Sequence, residues 1–116
     1  MSTIKTGNLW CQKVKDILIE KNFKVDGPFS KVLFAKGIKR KVHVDLFNVY
    51  DLISVDQKGN ILLHQITSFN MRSRKIKNIK LARIPGIVWT YKNNKIHKIT
   101  RVTSKLVYEI FIGDLK

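Results

Sequence analysis

Acidic residues are scarce in this sequence: eight Asp and Glu stand against 23 Lys and Arg, a formal net charge of +15 on 116 residues. That excess argues against charge placed only for solubility, because self-repulsion destabilises a compact chain unless a partner neutralises it. Cysteine occurs once, at Cys11. A single thiol excludes an internal disulfide and a Cys-cluster zinc site, and it points to a reducing, cytoplasmic setting. The three histidines, His43, His64 and His97, have neither HxH nor HExxH spacing, so a His-based zinc site is not expected. No apolar run approaches the roughly 18 to 20 residues that span a bilayer. The N-terminus carries no apolar stretch ahead of a small-residue cleavage site, so neither a membrane span nor a signal peptide is expected.

What is present is enough apolar material for a core. Hydrophobic residues make up 44% and aromatic residues 9% of the chain, more than a disordered basic tail holds. The length fits one domain covering residues 1–116. The cations are spread along the chain rather than gathered on one amphipathic helix. This favours nucleic acid over an anionic membrane surface as the polyanionic partner.

Periodicity predicts a helix over Thr6 to Asn22, with Trp10, Val14, Ile17 and Leu18 on one stripe. Asp26, Gly27 and Pro28 then break the chain. From Ser30 an alternating pattern begins. Gly37 to Lys41 reads as a basic turn, and Lys41 to Phe47, Asp51 to Asp56 and Ile61 to Thr67 read as strands. Gln57 to Asn60 forms a hairpin turn between the last two. Ser68 or Asn70 can cap a second helix over Met71 to Leu81, which Pro85 and Gly86 stop. Ile87 to Tyr91, Lys95 to Val102 and Leu106 to Ile112 read as further strands. The order predicts an α+β (mixed α/β) domain.

Asp45 and Asp51 sit in the most hydrophobic part of the chain, where a carboxylate is costly to desolvate unless paired or metal-bound. The plain structural alternative is a strand-end Asp, with Asp45 pairing to Lys41 or Arg40. The run Val44-Asp45-Leu46-Phe47-Asn48-Val49-Tyr50-Asp51-Leu52-Ile53-Ser54-Val55, a turn, then Ile61 to Ser68 with its Gln65-Ile66-Thr67 triplet, resembles the core of the PD-(D/E)XK nuclease superfamily. In that superfamily an Asp opens one strand of a hairpin and an acid-x-Lys triplet ends the next. With the basic run Arg72-Ser73-Arg74-Lys75-Ile76-Lys77, the chain is similar to a divergent, Holliday-junction-resolvase-like branch of phage and microbial proteins that carries Gln-x-Thr. The likeness covers about Thr6 to Tyr91. It implies a restriction-endonuclease-like core of helix, three strands, helix and strand, here with a C-terminal strand extension.

The resemblance implies a metal-dependent endonuclease or resolvase-like enzyme acting on DNA rather than RNA. Asp51 and Gln65 would be metal ligands together with the carbonyl of Ile66, and Asp45 a further one. Thr67 would position water, and Lys75 would stand in for the missing ammonium. All-oxygen ligation suits Mg²⁺ or Mn²⁺, and no organic cofactor is implied. Arg72, Arg74, Lys75, Lys77 and Lys80 form the expected phosphate-contacting face. Three departures stand out: Gln65 replaces the acid, Thr67 replaces the Lys, and Cys11 or Gln12 stands where helix one often carries Glu. Loss of the site would leave a non-catalytic nucleic-acid-binding module, and charge alone also fits a small RNA- or ribosome-associated protein. Enzymes of this kind often dimerise, and Leu106, Tyr108, Ile110 and Ile112 offer an apolar face for that or for the sheet core. Trp89 and Cys11 read as core, His64 as packing or surface on the strand face opposite Gln65, and Tyr91 as a candidate for base stacking.

Overall fold

A computed structural model describes residues 3–35, 37–47, 49–103 and 105–112. The elements run α1 (Thr3–Glu20), β1 (Lys24–Asp26), β2 (Phe29–Ala35), β3 (Ile38–Val44), β4 (Leu52–Val55), β5 (Ile61–Ser68), a 3-10 turn (Phe69–Met71), α2 (Arg72–Ala82), β6 (Gly86–Lys92), β7 (Lys95–Val102) and β8 (Val107–Ile110). Six strands form one sheet in the order β1-β4-β5-β6-β7-β8, and β2 and β3 form a separate two-stranded ribbon. Every pairing is antiparallel except β5 with β6, which α2 connects as a crossover. The domain is thus mixed α+β.

Alternation along β6 shows how the layers arise. Ile87 and Trp89 join a cluster with Trp10, Val14 and Leu18 of α1, and with Leu52, Ile66 and Ile99. Val88 joins Ile79 of α2, Tyr50 and Val102. Successive strand residues point to opposite faces, so α1 covers one face of the sheet and α2 the other. The stripe predicted for α1 is the buried one: Trp10, Val14 and Leu18 are buried. Helix α2 ends at Arg83, whose left-handed backbone (φ 59°) lets its N–H reach the carbonyls of Ile79 and Lys80.

Several expectations need correction. Strand β1 was not anticipated, because three residues carry no readable period; it lines the sheet edge against β4. The basic residues Lys39, Arg40 and Lys41 lie in strand β3, not in a turn, and β3 spans Ile38–Val44. A ribbon outside the main sheet can carry charge on a strand without burying it. Neither Ser68 nor Asn70 caps α2. Met71 holds the cap position, without a side-chain bond, after a 3-10 turn that continues directly into the helix.

His64 is fully buried, on the sheet face opposite Gln65 as expected. Trp89 Nε1–H donates to His64 Nδ1 at 3.0 Å, and His64 Nε2 lies 2.7 Å from Ser54 Oγ. Since the indole can only donate, Nδ1 must accept, and the ring proton sits on Nε2, facing Ser54. Burial, with a smaller repulsion from Arg101, pushes the imidazole down to about 3. Below the unfolded value of 6.5 the unfolded chain takes up a proton that the folded chain refuses. Stability therefore falls as pH drops from 6.5 towards 3, and denaturant midpoints measured across that range should decline. In His64→Asn the decline from this group should vanish. His64→Leu strands the indole N–H and the Ser54 hydroxyl and should cost about 2–5 kcal/mol at pH 7 by urea denaturation.

Candidate functional site

Strand β4 begins at Leu52, paired with His64, while β5 runs on to Ser68. Beyond His64, β5 therefore has no β4 ladder opposite it, and two side chains fill the gap. Asp51 donates its own N–H to the His64 carbonyl at 2.8 Å, and its Oδ2 accepts the Ile66 N–H at 2.9 Å. Gln65 turns its Nε2–H onto the Ile66 carbonyl at 3.0 Å. The N–H and C=O of one strand residue point to the same edge, so both side chains converge on the Ile66 backbone. Asp51 and Gln65 are buried, at 6% and 3% exposure.

The backbone around Asp51 is fixed by close approach. Gly27 has φ 106°, and a Cβ there would collide with the Asp51 carbonyl oxygen. Only glycine meets both conditions without strain. On the preceding residue, Tyr50 is fully buried and donates its hydroxyl to the Ile84 carbonyl, and burial pushes that phenol up to about 12.

Electrostatics tie further groups to this end of the sheet. Cys11 of α1 is buried, and its thiol is pushed up to about 12, first by burial and then by Asp51 and Asp45. Both carboxylates therefore act on one thiol, and Cys11 is a protonated core residue at neutral pH rather than a nucleophile. Tyr91 is also raised, by burial and then by Cys11 and Asp51. Its ring stacks on Trp10 at 5.0 Å between centroids, and Lys13 Nζ lies 4.4 Å above Trp10. The Trp10–Tyr91 stack beside Asp51 is the feature that sequence reasoning missed. Its partners lie 81 positions apart (91 − 10), and no local pattern joins them.

The other expected residues are distributed as follows. Thr67 is buried on the Gln65 face of β5, opposite Thr90 in register. Lys75 is half-buried on α2. No donor, Lys75 included, reaches Gln65 Oε1, which is buried without a hydrogen-bond partner. Arg72 is half-buried, and its Nη2 donates to Thr100 Oγ1 of β7 at 3.1 Å. Arg74, Lys77 and Lys80 are exposed. The pairing of Asp45 with Lys41 or Arg40 rests on side chains outside those described, as does His43. His97 is exposed, with Phe69 edge-on at 5.2 Å.

Other acids serve local structure. Asp56 accepts from the N–H groups of Lys58 and Asn60 and from the Asn60 side chain, which holds its carboxyl below the usual range. Glu109 pairs with Lys98 at 2.9 Å and is lowered by that bond.

The donor atoms at the Ile66 edge are oxygens, the type a hard divalent cation takes. The orphaned Gln65 Oε1 is an acceptor without a donor, and the Asp51 carboxylate bonds the backbone next to it. Magnesium sites commonly use one or two carboxylates and complete their shell with water and phosphate. The Ile66 carbonyl, expected as a third ligand, already accepts from Gln65. Among the described residues no group of three or more His, Cys, Asp or Glu forms a metal cluster. No helix among them is long and apolar enough to cross a membrane. No protein-family model matches the chain, and no curated protein or solved structure shows significant similarity to it.

Asp51→Asn keeps an oxygen for the Ile66 N–H and removes the charge facing Cys11. The variant should fold as the wild type does, by far-UV circular dichroism, while the Cys11 thiol pKa, read from the pH profile of alkylation, should fall. Asp51→Ala strands the Ile66 N–H and should cost about 1–3 kcal/mol in urea denaturation.

Proposed function

We propose that the protein is a DNA-binding, metal-dependent phosphodiesterase of restriction-endonuclease-like descent, with Mg²⁺ or Mn²⁺ as its ion. The observation that carries this reading is the convergence of Asp51 and Gln65 on the Ile66 edge. Setting the β2–β3 ribbon aside, the elements run helix, three strands, helix, strand, which is the order the resemblance implies. The β7–β8 pair then forms the C-terminal extension.

Charge supports the same reading. From Gln57 to Tyr108 the chain has no acidic residue, so the surface around the carboxylates is cationic. Such a surface releases condensed counterions when it meets a phosphate backbone. The exposed Arg74, Lys77 and Lys80 are the phosphate contacts; Arg72 instead braces α2 against β7.

Asp51 and Gln65 would hold the ion, with Asp45 as a second source of charge. The bound ion supplies an activated water and stabilises charge on the scissile phosphate. Thr67 offers a hydroxyl to orient water, and Lys75 on α2 would substitute for the ammonium that Thr67 lacks. A second copy, docked on the exposed Leu106, Tyr108 and Ile112 along edge strand β8, would give the two-strand cutting that dimeric nucleases perform.

A second reading, a binding module that has lost catalysis, is favoured by one observation: Gln65 and Thr67 stand where the resembled superfamily carries an acid and a Lys. One assay separates the two. Incubated with branched, linear and single-stranded DNA and with structured RNA, the wild type should nick DNA in Mg²⁺ or Mn²⁺ and not in EDTA. Asp51→Asn should lower the rate at least 100-fold. Salt-sensitive binding without cleavage in either metal establishes the module instead, and a preference for structured RNA removes the DNA reading. Arg74→Ala with Lys77→Ala and Lys80→Ala should reduce the slope of log K against log salt by about 2–3, as about 0.9 per lost phosphate contact requires.

A further inference from the structure

We propose that the β2–β3 ribbon is a docking arm for duplex DNA, with Phe34 at its tip as an aromatic wedge; this deepens the function proposed above and rests on its DNA reading. Among the described residues the two strands of the ribbon pair only with each other, Phe29 with Val44 at the base and Ala35 with Ile38 at the tip. Each strand has seven residues, about 23 Å of extended chain at about 3.3 Å per residue. Two-stranded ribbons dock in a groove of duplex DNA, major or minor, and an apolar wedge between base steps enters from the minor groove.

The tip carries its apolar side chains in the open. Phe34 is 75%, Ile38 67% and Val32 44% exposed. An isolated hairpin is only marginally stable in water, and exposing large apolar groups at its end gains nothing for the free domain. In register, Phe34 stands opposite Lys39 and Val32 opposite Lys41. Between Phe29 and Val44 there are five cations and no acid, which makes the arm complementary to phosphate. An aromatic ring flanked by cations suits unstacked or kinked base steps, where the ring meets the bases and the charges meet the backbone.

The attachment of the arm points to the same ligand. Its first strand follows Gly27, which packs on the Asp51 carbonyl, and its second strand runs directly into Asp45. Both ends of the arm are therefore rooted at the two carboxylates of the candidate site. DNA held along the arm is led to Asp51. An anionic membrane fits less well, because the exposed cations are not confined to the arm and recur on α2 at Arg74, Lys77 and Lys80.

The test is fluorescence anisotropy with a labelled 20-base-pair duplex in EDTA, over a series of salt concentrations. Phe34→Ala should weaken binding about tenfold with an unchanged salt slope, since stacking is worth about 1–3 kcal/mol per base. Phe34→Trp should retain the affinity, and Lys39→Ala should reduce the slope by about 0.9. Wild-type melting curves are expected for all three variants; collapse of the fold in Phe34→Ala makes Phe34 structural and overturns the arm. Unchanged duplex binding in both Phe34→Ala and Lys39→Ala overturns the arm and leaves the proposed function standing. A wild type that binds no DNA overturns both. Phe34-dependent binding to phosphatidylserine vesicles in place of DNA, or Phe34-dependent self-association by analytical ultracentrifugation in place of DNA binding, also overturns it.

Discussion

A backbone polar group buried without a partner is expensive, and the Ile66 backbone is where that constraint bears hardest. Strand β5 outruns β4, so its N–H and carbonyl would face an empty place in the sheet. Asp51 and Gln65 occupy that place with a carboxylate and an amide. Once these groups are so used, the carboxylate of Asp51 is bonded to the Ile66 N–H and the amide oxygen of Gln65 is left buried without a partner. The remaining features arrange themselves around that point. Gly27 allows the chain to pass close behind Asp51, Cys11 and Tyr91 feel its charge, and the ribbon departs from its flank.

The two sides of the sheet do different work. The α1 side is dominated by apolar packing and by one neutral polar chain, Trp89 to His64 to Ser54, in which each side chain has a hydrogen-bond partner. The α2 side carries Thr67, Thr90, Thr100 and Arg72 between helix and strands, and here Arg72 Nε and Thr90 Oγ1 lack partners. A fully satisfied network stiffens the scaffold, whereas a partly satisfied one leaves free hydrogen-bonding capacity beside the strand end. This asymmetry matches the placement of the candidate site at the margin between the two layers.

Much of the chain can be read without coordinates where its pattern is long and local. The α1 stripe, the β5 and β7 spans and the existence of α2 follow from apolar spacing; of the stripe Trp10, Val14 and Leu18 are buried and Ile17 half-buried, while Cys11, off the stripe, is buried beside them. The Gln65 and Thr67 pair shares a face because strand periodicity is two. Short or solvated elements are not legible this way: β1 has too few residues to show a period, and β3 has charges that mimic a turn. The caps of α2 also mislead, because Ser68 and Asn70 have suitable side chains but the chain enters the helix through a 3-10 turn that uses neither.

Composition and order along the chain determined that this is a cationic α+β domain with two carboxylates set among strand residues. Those properties depend on residue type and near-neighbour spacing, which a sequence carries in full. Tertiary structure decided that Asp51 and Gln65 both bond the Ile66 backbone, that Tyr91 stacks on Trp10, that Arg72 is tied to Thr100, and that Lys31, Lys39, Arg40 and Lys41 belong to a ribbon apart from the main sheet. Each of these joins residues through strand register or through packing across the sheet. Register is fixed by the burial of whole faces and by backbone groups seeking partners, and neither quantity exists until the chain has folded.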